Sequence, residues 1–149
     1  MSSDAAQSGV IAVLDTNALV RVMLAKSPLV RALRDSLERG AFILVTTDEI
    51  LAELDRVLRY PRIFARHALT DAAIQEFEQS IRHIAVCVPG LYAVSKIEAD
   101  PSDDKFLACA LEGAADYIIS EDPHLRDLKD YQGIAIIGLE QFSEKLGLR

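Results

Sequence analysis

Apolar residues along the chain fall into two patterns. Short continuous runs have the length and continuity of strands buried on both faces: Val10 to Leu14, Phe42 to Val45 with Thr46 following, Ile84 to Val88, Tyr117 to Ile119 and Ile134 to Ile137. Between them apolar residues recur at helical spacing, over roughly Ala18 to Ala25, Pro28 to Arg39, Asp48 to Arg59, Asp71 to Arg82, Asp103 to Glu112 and Leu139 to Leu146. Gly40 and Gly113 follow helix ends, and Pro28, Pro61, Pro101 and Pro123 stand at starts or breaks. Strands alternating with helices predict an α/β fold, a three-layer α/β/α sandwich with a mostly parallel central sheet and right-handed crossovers.

The chain has 149 residues, half of them apolar, enough for one ordinary domain. That domain is expected over residues 10–149, after a short disordered tail over 1–9. The opening MSSDAAQSG has neither a basic start nor an apolar segment of the kind a secretion signal needs. Every apolar run is broken well short of the roughly 20 residues that cross a bilayer. A cytoplasmic protein without a membrane span is therefore expected. Cys87 and Cys109 lie in apolar segments without a second pair or a CxxC spacing, so both read as core thiols.

The net charge of −7 argues against binding nucleic acid through a broad basic surface. Clustered carboxylates supply another route, because each bound divalent cation offsets two negative charges and turns an acidic pocket into a phosphate-binding one. In open parallel sheets ligands gather beyond the carboxyl ends of the strands. Acids stand there: Asp15 after the first strand, Asp48 and Glu49 after the second, and Asp122 after the strand ending at Ile119.

Each acid also has a plain structural reading. Asp15 and Asp122 suit helix N-caps, and Asp100 before Pro101 suits another. Glu53 borders the apolar face of its helix, with Glu49 one turn earlier as the alternative ligand. Capping accounts for one or two acids of DPSDDK and poorly for a third, which favours a functional Asp103, with Asp104 as a neighbouring metal or water contact. Like charges gathered at strand ends destabilise unless a cation intervenes, so the joint occurrence points to a metal site.

The order of these motifs, a strand followed by DTN, a helix with E-L-x-x-V-L, then D-P-x-D-x-K-F-L-x-x-A and Y-I-I-S-x-D, resembles the PIN-domain ribonucleases from about Val10 to Leu128. More narrowly it is similar to the group described as toxin components of bacterial toxin–antitoxin pairs. The resemblance implies four acids, Asp15, Glu53, Asp103 and Asp122, holding one or two Mg²⁺ or Mn²⁺ ions for RNA cleavage. Asn17 and Ser120 match polar positions that support the site. Two departures add negative charge: Glu121 stands where relatives often have Gly, and Asp104 replaces a frequent Asn.

Oxygen ligands without a nearby Cys or His favour Mg²⁺ or Mn²⁺ over zinc. His67, His83 and His124 have no ligand spacing, and His124 reads as a surface residue. Arg56, Arg59 and Arg62, with Arg66 and His67 following, form the densest basic stretch and are the candidates to hold the RNA backbone or an acidic antitoxin segment. Apolar residues of the Ala18 to Ala25 and Asp71 to Arg82 helices offer surface for a homodimer. The competing classes are a non-catalytic PIN-like module that binds nucleic acid or a partner, which calls for a missing acid, and an aspartyl phosphotransferase. The latter's usual second acid is Asn17 here.

Overall fold

The structure, a computed structural model, describes residues 9–94 and 103–148. Its elements are β1 (Ile11–Leu14), α1 (Thr16–Leu24), α2 (Pro28–Glu38), β2 (Ile43–Thr46), α3 (Asp48–Leu58), α4 (Pro61–Phe64), α5 (Asp71–Ile84), β3 (Val86–Cys87), α6 (Asp104–Glu112), β4 (Tyr117–Ile119), α7 (Pro123–Arg126), β5 (Asp130–Tyr131), β6 (Ile134–Ile137) and α8 (Leu139–Lys145). The strands form one six-stranded sheet in the order β3-β2-β1-β4-β6-β5, parallel except for the β5–β6 pair. Chain direction across the sheet reverses between β3 and β4, so right-handed crossovers place α6 on the face opposite α1 to α5 and complete an α/β/α sandwich.

The parallel strands are buried because helices cover both faces. Ala12, Val13, Leu14, Ile118 and Ile119 are at most 1% exposed. Phe142 of α8 meets Phe42 edge-on at 4.9 Å between ring centroids and leans on Tyr117, closing the core on that side. Gly113, the residue that ends α6, lies so near β2 that a Cβ there would stand 2.5 Å from Val45 Cγ1. Helix starts follow side-chain chemistry: Ser27, Thr47 and Thr70 accept the N–H groups of Val30, Ile50 and Ala73.

Several expectations are corrected. Ile84 closes α5 rather than opening a strand, because Ile81 and Ile84 continue the apolar face of that helix. The following strand shrinks to Val86–Cys87, and Cys87 is exposed instead of being a core thiol. Cys109 is buried, and burial pushes its thiol up to about 12. Of the apolar residues of α1 and α5, Ala18, Leu19, Val22, Ile74 and Ile81 are buried in the core, while Val20, Met23, Leu24 and Phe77 are half-buried. Asp100 and Pro101, expected to start α6, lie outside the described residues, as does nearly all of the expected tail. No helix among the described residues is long and apolar enough to cross a membrane.

Candidate metal centre

The sheet's topological switch point lies between β1, whose crossover leads to β2, and β4, whose crossover leads to β6. Both strands end there in carboxylate-bearing turns. The Asp15 N–H donates to Ile119 O at 3.1 Å, so the two turns are stitched side by side.

Asp15 is 3% exposed and caps α1, accepting the Ala18 N–H at 2.8 Å. Ser120, fully buried, donates its hydroxyl to the Asp15 carboxylate, and the same hydroxyl oxygen accepts the Asp122 N–H at 2.9 Å. Asp122 caps α7 by accepting the His124 N–H at 2.8 Å. Burial raises the Asp15 pKa from 3.8 to about 6; hydrogen bonds from Ser120 and Ala18 oppose the rise, and the charges of Asp122 and Glu121 add to it.

Glu53 reaches the same place from α3. Its Oε1 accepts the Thr16 hydroxyl at 2.5 Å and lies 3.4 Å from Lys105 Nζ. Thr16 is the first residue of α1, so this bond ties the start of α1 to the middle of α3. The Lys105 side chain is 9% exposed, which places an ammonium well out of water beside the acids. Asp103, just before α6, is buried.

Asp15, Asn17, Glu53, Asp103 and Asp122 line one cavity of about 160 Å³, together with Thr16, Val57 and Phe106. Asp104 and Glu49 do not join them; they line a separate cavity of about 260 Å³ with Lys105 and Glu112. Glu121 is turned aside, its Oε2 accepting the Leu139 N–H at 2.9 Å and its Oε1 meeting Arg126 at 3.3 Å. Glu121 thus caps α8, and it fits because Gly138 leaves room: a Cβ there would lie 2.6 Å from Glu121 Oε2.

His124 is exposed, as a surface histidine should be, yet its Nδ1 is 3.6 Å from Asp122 Oδ1. One ligand atom from each of Asp103, Asp122 and His124 lie within 4.8 Å of one another. The premise of an oxygen-only pocket with no histidine nearby is therefore corrected. The clue in sequence was His124 two residues after an N-capping Asp, which the short α7 folds back over the cap. The basic stretch after Glu53 is also altered. Arg59 pairs with Asp55 at 3.1 Å and with Asp71, and these carboxylates hold its pKa above the ordinary arginine value. Arg56 and Arg62 are exposed.

The fold and site define a mostly parallel α/β domain whose carboxylates gather at the sheet's switch point, where ligands of such sheets bind. A family model of the PIN domain matches residues 11–124, and the chain belongs to the PIN-domain family. No curated protein matches the chain. PIN domains are in general metal-dependent nucleases, and this chain keeps an acidic cluster able to hold an ion.

Proposed function

We propose that the chain is an endoribonuclease that hydrolyses RNA phosphodiester bonds with Mg²⁺ or Mn²⁺, serving as the toxin of a toxin–antitoxin pair. The observation that carries the nuclease reading is the single cavity lined by Asp15, Glu53, Asp103 and Asp122 at the switch point of the sheet. Four carboxylates in so small a space repel one another, and a hard divalent cation is the species that relieves this with oxygen ligands. Burial is the main cause of the raised Asp15 pKa, and the charges of Asp122 and Glu121 add to it. These four residues are assigned as the ion's holders, with exposed His124 beside Asp122 and Asp104 lining the neighbouring cavity.

A bound divalent ion supplies a more acidic water and a counter-charge for the phosphate oxygens. The remaining work falls to the chain. Ser120 fixes the Asp15 carboxylate and the Asp122 backbone at once, holding two strand-end acids in register. Thr16 and Lys105 orient Glu53. Asn17, exposed at the cavity's edge, is placed to hydrogen-bond the substrate.

A labelled RNA incubated with Mn²⁺ and wild-type protein should be cut, and chelator or Asp15→Asn should abolish cutting while the fold persists by circular dichroism. Wild-type rates in Asp15→Asn would refute the assignment. Binding of RNA without any cutting would favour the non-catalytic module.

A further inference from the structure

Residues 16–34 contain four cations, Arg21, Lys26, Arg31 and Arg34, and no acid, in a chain of net charge −7. None of the four has a carboxylate within 4.0 Å among the described residues. The turn from α1 to α2 gathers three of them. Lys26, Arg31 and Arg34 line a cavity of about 340 Å³ that has no acidic lining residue. Arg34 is fixed there, its Nη1 donating to the carbonyls of Val22 at 2.9 Å and Met23 at 3.2 Å, so it closes the end of α1 as well.

This cavity is connected to the acid site along one face of α1. Asn17 lines the acid cavity; Arg21, four residues on, is exposed on the same face; Leu24 and Ala25, three and four residues further, line the cationic cavity. Asn17 to Ala25 spans about 12 Å of helix, the length of three to four stacked nucleotides of one strand. Arg59, the centre of the basic stretch after Glu53, is occupied by Asp55 and Asp71. An acidic nuclease needs phosphate contacts somewhere. Exposed Arg56 and Arg62 also lack a carboxylate within 4.0 Å among the described residues, but only the strip from Asn17 to Arg34 is free of acids along its length and runs from the acid cavity to a cationic one.

We propose that Arg21, Lys26 and Arg31, with Arg34 as their fixed floor, form a phosphate track that binds the single strand flanking the cleaved bond. The proposal rests on the nuclease reading for what occupies the acid end. A chain of unpaired cations reached by an exposed helix face fits a phosphate repeat, with Met23 and Leu24 giving apolar contact for bases.

The test is fluorescence anisotropy of a labelled 12-nucleotide single-stranded RNA with the full chain, in chelator so that nothing is cut, across a salt series. The triple variant Arg21→Ala, Lys26→Ala, Arg31→Ala should bind at least about tenfold more weakly at low salt, and its log-affinity against log-salt slope should shrink by about 2. Arg34 is left intact to keep the end of α1 closed. Unchanged affinity and slope would overturn the track, as would a variant that keeps RNA affinity but loses binding of a labelled oligo-aspartate peptide. Cleavage in Mn²⁺ separates the two claims: RNA bound through these cations but never cut contradicts the nuclease alone. Cutting with an unchanged KM in the triple variant removes the track alone.

Discussion

Ser120 donates its hydroxyl to the Asp15 carboxylate while its oxygen accepts the backbone N–H of Asp122 at 2.9 Å. One side chain thereby couples the carboxyl ends of β1 and β4. Ser120→Ala removes a bond that lowers the Asp15 pKa, so Asp15 should titrate above its present value of about 6 and Mn²⁺ should bind only at correspondingly higher pH. The lost hydrogen bond should also cost roughly 1 kcal/mol of stability. NMR titration of the Asp15 carboxyl measures the first, and urea unfolding the second.

Burial of Asp15 sets a pH dependence of known sign. Its pKa is about 6 in the fold against an ordinary 3.8, so the folded state holds the proton more tightly than the unfolded chain. Between about pH 4 and pH 6 the metal-free protein should lose stability as pH rises, by on the order of 3 kcal/mol, with no further change from this group above pH 6. Asp15→Asn, which keeps an acceptor for Ala18, should melt higher than wild type at pH 7.5 and equally at pH 3.5. Equal differences at both pH values would contradict this origin.

The backbone of the fold was legible because it depends on pattern. The runs at Val10 to Leu14 and Tyr117 to Ile119 are continuous since helices cover both faces of those strands, and the PIN-type order of motifs led to the family that the match to residues 11–124 establishes. What escaped depends on contacts. The strand Asp130–Tyr131 is two residues long and exists because Gln132 and Gly133, at φ +50 and +85, turn it back on β6; so short a run carries no period. Arg59 resembled a free cation until Asp71, twelve residues away, was brought to it. The acid-free stretch over residues 16–34 was visible in sequence, but only the turn between α1 and α2 shows that its cations share a cavity.

Glu121 offers a test that separates charge from shape. Its carboxylate caps Leu139 and adds to the rise in the Asp15 pKa. Glu121→Gln keeps an acceptor for Leu139 and removes the charge, so stability should change little while Mn²⁺ binding extends to lower pH. Gly138→Ala should do the reverse: its Cβ would meet Glu121 Oε2 at 2.6 Å and Arg126 Nη1 at 2.8 Å, displacing the cap at a cost of about 1–2 kcal/mol.

Arg59→Ala should lower the melting temperature, because α3 and α5 lose the bridge from Asp55 to Asp71, and should leave RNA affinity within about twofold. Filter binding of the same RNA used for the track variants checks this. A loss comparable to the triple variant would restore the stretch after Glu53 as the substrate contact.

The central claim is that Asp15, Glu53, Asp103 and Asp122 act as one divalent-cation site. Isothermal titration of Mn²⁺ into the wild type, Asp103→Asn and Asp104→Asn at pH 7.5 tests it most directly. The cavity shared by Asp103 and Asp15 predicts saturable binding in the wild type, a loss on the order of 100-fold in Asp103→Asn, and affinity within about threefold of wild type in Asp104→Asn. Absent binding in the wild type, or equal losses in the two variants, would contradict it.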